Sequence, residues 1–355
     1  MSRSPETTLG AVVVVVSCAV GGAMLAQRPA SAFTSVFPAP LEAYFATSVH
    51  LTDDDRGRLQ SGATVTRLLD SDPTHEVSVF GAVWVDAPPE RYVRAITDIE
   101  RFEHGGHFLL TKKISDPPRP EDFAALQVSD RDFDDLRQCQ VSHCAVKLGQ
   151  NALDRIQRQV HWAAPSARAE VDALMRQIVF EYANAYHEGG NSELAIYRDT
   201  SHPTFVANEF ESMVGRMPEL TLHLPEVRQY LLDYPRAQPE GSRSFLYWQN
   251  VVFGLKPTIR INHVVINESA QGTVVTSKMI YATHYFWTAL ELRVLVSDPA
   301  RGRGFWLVTV NRSRSDGLSG FVGRLVRGTV HSETLNAMEA TLRSTKQRIE
   351  GSQRP

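Results

Sequence analysis

The sequence has few cysteines and no marked excess of charge of either sign. It contains 355 residues, of which 37 are Lys or Arg and 40 are Asp or Glu, so its formal net charge is -3. Because nucleic-acid-binding proteins carry a basic surface, we expect no nucleic acid among the partners. Hydrophobic residues make up 43% of the chain, a proportion typical of a folded globular protein.

The sequence also lacks the motifs that identify a reaction. It has no phosphate-binding loop and no Gly-x-Gly-x-x-Gly pattern. Residues 317–320 (Gly-Leu-Ser-Gly) are followed by Phe321, so they fall short of a Gly-x-Ser-x-Gly nucleophile elbow. We therefore assign no catalytic residue and no cofactor from the sequence.

Apolar runs long enough to cross a bilayer are absent except near the N-terminus. Residues 9–26 are apolar or small, and Ala30-Ser31-Ala32 follows as an A-x-A cleavage site. This pattern predicts a signal peptide over residues 1–32 and a periplasmic or secreted protein. An uncleaved membrane anchor is one alternative, since about 18 apolar residues can span a bilayer. A lipoprotein modified at Cys18 is the other.

Cleavage would leave two cysteines, Cys139 and Cys144. A close pair in an oxidising compartment predicts a disulfide, whereas a metal site would need His143 as a third ligand. His104 and His107 are a weak metal candidate, because two imidazoles flank a flexible Gly-Gly pair. A Gly-Gly turn explains the same residues, and we assign no metal site.

Four segments show patterns that predict strands. Apolar residues alternate with other residues in the first three, and the fourth is a short apolar run. These segments cover residues 75–85, 259–265, 286–296 and 305–310. The last two are joined by a polar connector rich in turn-forming residues. We therefore expect them to pair as a hairpin.

Other parts of the chain show helical spacing. After Asp316, a candidate N-cap, an apolar stripe predicts a long helix that continues to about Ile349. Residues 121–255 are predicted to be largely helical, with the strongest helix over residues 165–190. Within this region, the aromatic-rich residues 241–254 are predicted to form a loop.

The junction after the first strand resembles a known superfamily. Ala87-Pro88-Pro89-Glu90 opens a helix that carries Ile96-Thr97-Asp98 near its end. This arrangement resembles the start of the START-like (SRPBCC, helix-grip) superfamily. In that family a curved antiparallel sheet grips a long C-terminal helix, and the cavity between them holds a lipid, sterol, quinone or polyketide.

The resemblance implies an α+β domain built from residues 73–114 and 258–350. Residues 33–72 then form an N-terminal lead-in. Residues 115–257 form a mostly helical insertion, or else a separate domain. The family shares no catalytic residues, so the resemblance implies a pocket and not a reaction.

Together with the predicted signal peptide, the resemblance implies an exported binding or carrier protein for an apolar small molecule. The expected ligand is a lipid, a hopanoid or sterol, or a quinone, held between the sheet and the C-terminal helix, with transient contact to a membrane. The residues expected to line this site are Tyr281, His284, Tyr285, Trp287, Phe305, Leu307 and Arg312. Core packing and a solvated loop are the alternative explanations for these residues.

Two other functions stay open. The chain would be a START-like cyclase or hydrolase if a pocket histidine, His284 or His107, acted as an acid or base. It would be an envelope structural or interaction protein if the helical insertion bound a partner.

Overall fold

A computed structural model describes residues 37–252, 256–269, 272–317 and 320–351, and the side chains of the last range from residue 327 onward. The predicted signal peptide, its cleavage site and Cys18 lie outside these residues. Within the described part of the chain, no helix combines the length and apolar character that crossing a bilayer requires.

The described residues form an α+β fold. The strands are β1 (Val65–Leu68), β2 (Glu76–Val85), β3 (Phe108–Lys113), β4 (Ile196–Tyr197), β5 (Thr204–Phe205), β6 (Ser242–Val252), β7 (Pro257–Ser269), β8 (Gly272–Ala282), β9 (Phe286–Ser297) and β10 (Phe305–Ser315). The helices are α1 (Ala39–Tyr44), α2 (Asp53–Gln60), α3 (Pro89–Thr97), α4 (Ile99–Phe102), α5 (Asp130–Gln138), α6 (Gln150–Gln159), α7 (Ala167–Gly189), α8 (Val206–Val214), α9 (Pro225–Asp233) and α10 (Gly320–Gly351).

Eight of the described strands form one open antiparallel sheet in the order β1-β2-β10-β9-β8-β7-β6-β3. Strands β4 and β5 pair separately. The predicted hairpin is confirmed, because Phe305 of β10 is opposite Ser297 of β9 and the pairing continues along both strands. The antiparallel sheet and the long C-terminal helix confirm the predicted fold class.

Side chains alternate between the two faces of the sheet. The front face is the one that carries Val79, Val83 and Leu307, which pack with α3 and with Met338 and Leu342 of α10. The close approach of α10 to β2 depends on Gly81. A Cβ atom at this position would lie 2.5 Å from Leu342 Cδ1.

The back face is covered by the lead-in and by the helical middle of the chain. Phe80 and Trp306 pack there with Phe45 of the lead-in and Met213 of α8. Farther along the sheet, a second apolar cluster joins β6, β7 and β8 to α7. Helices therefore cover both faces of the sheet.

The prediction of a loop over residues 241–254 is wrong. Residues 242–252 form β6, which pairs with β7 along its whole length. Leu246 and Trp248 belong to the back-face core and Tyr247 to the front-face core. Because both faces of β6 are buried, its sequence shows no apolar–polar alternation.

The long helix also begins later than the candidate N-cap suggests. Its first residue is Gly320, and it continues to Gly351. Asp316 lies four residues before this start, and its Oδ2 accepts a hydrogen bond from Lys147 Nζ at 2.9 Å.

Candidate functional site

A group of polar side chains lies on the front face, between the sheet and the α3–α4 segment. The alternation that places Val264 and Leu295 on this face also places Arg260 and Arg293 there. We call this group the front-face cluster, and it consists of Tyr92, Glu103, Tyr247, Gln249, Arg260, Glu291 and Arg293.

Glu103 lies at the centre of the front-face cluster and is 7% exposed. Its Oε2 accepts hydrogen bonds from Gln249 Nε2 at 2.6 Å and from Tyr247 Oη at 3.2 Å. The guanidinium groups of Arg260 and Arg293 approach its carboxylate at 3.8 and 4.0 Å. The Glu103 carboxylate therefore connects the C-terminal end of α4 to strands β6, β7 and β9.

The charges of the front-face cluster balance. Arg260 and Arg293 are matched by Glu103 and Glu291, and Arg293 Nη2 is 2.6 Å from Glu291 Oε2. Burial alone lowers the pKa of Arg293, but Glu291, Tyr92 and Glu103 raise it above its ordinary value overall. The guanidinium therefore stays charged, and the four ionic groups sum to zero.

Three buried donor groups here have no hydrogen-bond partner among the described residues: Tyr92 Oη, Arg293 Nη1 and Asn262 Nδ2. Tyr92, Arg293 and Asn262 are 0%, 6% and 2% exposed. Asn262 is opposite Tyr247 in the sheet, which places it beside the cluster. Burial raises the pKa of Tyr92, so its phenol stays a neutral donor. Each unpaired buried group costs about 1–3 kcal/mol.

Apolar side chains adjoin these donors on the same face. Val264, Val275 and Leu295 are buried in the front-face core, whereas Ala289 and Asn311 are only half-buried. Solvent therefore reaches part of this face. Donor groups beside an apolar wall suit a largely apolar molecule that carries hydrogen-bond acceptors.

A second polar region lies at the turn between β8 and β9. A cleft of about 350 Å³ is present there, and Cys144 is part of its wall. We call it the hairpin cleft, and its charged and aromatic lining consists of Arg131, Lys147, Asp199, Lys256, His284, Tyr285 and Asp316.

His284 is held in the hairpin cleft by two hydrogen-bond acceptors. Its Nε2 is 2.8 Å from Asp132 Oδ1, and its Nδ1 is 3.1 Å from the carbonyl oxygen of Ala145. Both ring nitrogens are therefore occupied within the chain, and neither is available for a ligand.

Tyr285 occupies a strained position in the same turn. Its φ is 63°, and Phe286 N donates to His284 O at 2.7 Å across it, which is the hydrogen bond of a γ-turn. Bulky residues rarely adopt this left-handed conformation. Strained residues cluster at functional sites, so the turn marks the hairpin cleft as a site to consider.

The Cys139–Cys144 disulfide is present, which confirms that prediction, and it helps to fix one wall of the hairpin cleft. Cys144 N donates to Asp199 O at 2.9 Å. Lys147 Nζ binds Asp199 Oδ2 at 3.0 Å and Asp316 Oδ2 at 2.9 Å. This ammonium therefore joins the disulfide segment to the chain that precedes α10.

The structure does not bring the seven predicted ligand residues together. Phe305 and Leu307 are on the front face, packed in the core under α3 and α10. Tyr281 is on the back face, in the core shared with α7. His284 and Tyr285 line the hairpin cleft.

Trp287 and Arg312 lie in neither of these cores and do not line the hairpin cleft. The Trp287 ring centroid is 4.9 Å from that of His75. Arg312 is 2% exposed, and its Nη1 donates to Glu76 Oε1 at 2.5 Å. Arg312 therefore forms a buried ion pair between β10 and β2.

His104 and His107 are exposed and flank a tight turn. Gly105 and Gly106 adopt φ values of 75° and 61°, which glycine tolerates best. In the described ranges, no three His, Cys, Asp or Glu side chains are grouped so that they could hold a metal ion.

The front-face cluster is a feature that sequence reasoning misses. Polar residues recur at alternate positions of two strands, as Arg260 and Asn262 in β7 and as Glu291 and Arg293 in β9. That alternation predicts a solvated face. Only the tertiary structure reveals that the residue after α4, Glu103, covers these groups.

Comparisons with known proteins give little further information. No family model matches the sequence, and no curated protein matches it. Among solved structures, norcoclaurine synthase from Thalictrum flavum, in complex with dopamine and hydroxybenzaldehyde, is similar over 42% of this chain and 82% of its own chain. The two chains are 12% identical, and the TM-score is 0.23.

Proposed function

We propose that this chain is an exported START-like binding or carrier protein for a mainly apolar small molecule. The ligand lies on the front face, between the sheet and α10, with an acceptor oxygen at the front-face cluster. The observation that carries this proposal is the group of three buried, unpartnered donors, Tyr92 Oη, Arg293 Nη1 and Asn262 Nδ2.

The chemistry of these donors narrows the ligand class. A pure hydrocarbon would leave all three unpaired. A carboxylate would add a negative charge beside Glu103 and Glu291, in a cluster whose charges already balance, and burying an unmatched charge is costly. A neutral carbonyl oxygen satisfies donors without that cost. A quinone therefore suits the site better than a fatty acid.

Two features support export. The signal-peptide pattern of residues 1–32 is one, and the Cys139–Cys144 disulfide is the other, because disulfides persist in oxidising compartments. A periplasmic or secreted carrier of an apolar molecule would exchange its cargo at a membrane surface by transient contact.

Catalysis by a pocket histidine has less support. Both ring nitrogens of His284 already bond to acceptors, and a general base needs one of them for the substrate. His107 is exposed in a turn.

The test is native mass spectrometry of the full chain after expression in a bacterial host that exports it. We expect processing after Ala32 and one bound apolar molecule, which solvent extraction would identify. In titrations of the emptied protein, a quinone should bind more tightly than a fatty acid or a hydrocarbon of matched length.

Matched variants connect the ligand to the donors. Asn262→Leu should weaken quinone binding about tenfold through the loss of one hydrogen bond in an apolar site. Asn184→Leu is the control, because the Asn184 amide donates to the neighbouring Glu188 on the exposed side of α7. Equal binding of quinone and hydrocarbon would overturn the proposal. So would a ligand-free structure in which ordered water satisfies all three donors and no ligand displaces it.

A further inference from the structure

The two sulfurs of the Cys139–Cys144 disulfide have different surroundings. Cys139 is 2% exposed and belongs to the back-face core that includes α7. Cys144 is half-buried and forms part of the wall of the hairpin cleft. A small reagent in solution therefore reaches the disulfide from the cleft, at Cys144.

Backbone hydrogen bonds hold the disulfide loop in place independently of the sulfur–sulfur bond. Gln140 N donates to His143 O and His143 N donates to Gln140 O, both at 2.9 Å, and Cys144 N donates to Asp199 O at 2.9 Å. The cysteines are only five positions apart, and the entropic gain from a cross-link rises with loop length. The disulfide can therefore open without unfolding this segment, and the two sulfurs stay close enough to bond again.

The lining of the cleft suits a small thiol that carries a carboxylate. Its volume is about 350 Å³, which is at the lower end of small-molecule sites. The ammonium groups of Lys147 and Lys256 are bound to carboxylates of the chain. Arg131 also lines the cleft and is exposed, and a guanidinium pairs well with a carboxylate.

The backbone beside Cys144 favours reaction at this sulfur. Val146 N donates to Cys144 Sγ at 3.4 Å. An N–H donor stabilises a thiolate, which is the form of cysteine that attacks disulfides. Cys144 is thus both the accessible sulfur of the closed disulfide and the better nucleophile of the reduced pair.

We propose that Cys144 is a site of reversible S-thiolation, at which a small acidic thiol binds in the hairpin cleft as a mixed disulfide. The thiolate of this molecule attacks Cys144 Sγ, and a new sulfur–sulfur bond forms as the bond to Cys139 breaks. The Cys139 sulfur takes the electron pair, together with the proton that the small thiol lost. In the reverse step Cys139 attacks Cys144 and expels the small thiol, so the exchange needs no further oxidant or reductant.

The test compares two single-cysteine variants of the full, exported chain in their reaction with the disulfide of glutathione. Glutathione is the probe because it is a small thiol that carries carboxylates. We expect Cys139→Ser to acquire one glutathione on Cys144, and Cys144→Ser to react at Cys139 about tenfold or more slowly, because a buried thiol is inert. Peptide mass spectrometry after quenching gives both rates, and circular dichroism shows that each variant is folded.

The wild-type chain provides a test that does not depend on the folding of a variant. It is incubated briefly with reduced glutathione, quenched, and alkylated at its free thiols. We expect the singly modified molecules to carry glutathione on Cys144 and the alkylating group on Cys139. The opposite assignment would overturn the proposal, and so would a disulfide that opens only when the chain is unfolded.

Variants of Arg131 decide whether the cleft recognises an acidic thiol. In the Cys139→Ser chain, Arg131→Gln should slow the reaction with the disulfide of glutathione about two- to fivefold. It should leave the reaction with the disulfide of mercaptoethanol, a neutral thiol, unchanged. Arg137→Gln, on the same helix, is the control, because Arg137 lies against the Phe133 and Trp162 rings and does not line the cleft.

The outcome of these experiments is independent of the proposed carrier function. Tyr92→Phe, on the front face, should leave both reaction rates unchanged. The assignment to Cys144 fails if folded Cys139→Ser acquires no glutathione, or acquires it no faster than Cys144→Ser. The preference for an acidic thiol fails if Arg131→Gln affects both reagents equally.

Discussion

The two faces of the sheet bury polar groups in different surroundings. On the back face, Lys278 Nζ donates to Asn191 Oδ1 at 2.5 Å and His263 Nδ1 is 3.0 Å from Tyr186 Oη. The space beside Lys278 and His263 has no room for a water-sized molecule. On the front face, the unpartnered donors lie beside half-buried residues that solvent reaches.

This difference helps to decide whether a buried polar group has a structural role or binds a ligand. Both faces contain buried polar atoms without a described partner, for example His263 Nε2 at the back and Asn262 Nδ2 at the front. Burial alone therefore does not identify a ligand site. Half-buried neighbours, balanced charge and several unpartnered donors are the additional features, and the front face has all three.

Removing apolar volume from the back face should have the largest effect on stability. Phe80 is 0% exposed and its ring packs against those of Tyr44 and Phe45. We expect Phe80→Ala to lower the free energy of unfolding by about 3–5 kcal/mol, measured by chemical denaturation, without weakening ligand binding in the folded protein. A loss below about 1 kcal/mol would show that the lead-in does not pack as described.

The buried histidine of the back face should make stability depend on pH. Burial, followed by Lys278 and His187, lowers the pKa of His263 to about 3, against about 6.5 in an unfolded chain. Between these values the unfolded chain binds a proton that the folded protein does not, so stability falls as pH falls. Compared with His263→Gln, the wild type should lose about 2 kcal/mol more of unfolding free energy between pH 7 and pH 5.

Denaturation curves of both proteins at the two pH values check this prediction. His161→Gln serves as the control, because the His161 side chain is 80% exposed and its substitution should preserve the wild-type dependence. If His263→Gln retained the full pH dependence, the titration would belong to other groups.

Disturbing the contact between α10 and the front face should have a smaller effect on stability. A methyl group at Gly81 would overlap Leu342 and Met338, so Gly81→Ala should lower the unfolding free energy by about 1–2 kcal/mol and speed amide hydrogen exchange in α10. Gly57→Ala in α2, where nothing lies within 4 Å, should instead stabilise the protein by up to about 1 kcal/mol. If both substitutions changed the unfolding free energy in the same direction, the close packing of α10 on Gly81 would not explain the result.

Local patterns in the sequence predict much of the fold. Strand β2, the β9–β10 hairpin, α7 and the long C-terminal helix follow from alternation, helical spacing and turn residues, because these signals act over a few residues. Strand β6 does not follow, since it is buried on both faces. In such a strand, periodicity cannot distinguish a strand from other apolar segments.

The candidate site is less predictable, because it depends on contacts between distant residues. Glu103 and Gln249 are 146 positions apart and hydrogen-bond at 2.6 Å. Conversely, Tyr281 and His284 are three positions apart, yet one lies in the back-face core and the other in the hairpin cleft. Residues that are close in sequence can therefore lie in different regions when a strand ends between them.

The smallest expected change in stability is that of Tyr92→Phe. It should show most clearly whether the front face is a ligand site or a structural core. Tyr92 Oη has no described partner, so Tyr92→Phe removes a group that is costly to bury. We expect the empty protein to be unchanged or stabilised by up to about 1 kcal/mol, and quinone binding to weaken. Tyr247 Oη donates to Glu103 at 3.2 Å, so Tyr247→Phe should instead destabilise the empty protein by about 1 kcal/mol.

Denaturation of the emptied variants and quinone titrations measure both effects. A gain in stability combined with a loss of affinity at Tyr92 would show that the fold tolerates an unfavourable buried hydroxyl because a ligand uses it. If Tyr92→Phe destabilised the empty protein as much as Tyr247→Phe, the hydroxyl would already have a partner in the folded chain. The front face would then be a structural core like the back.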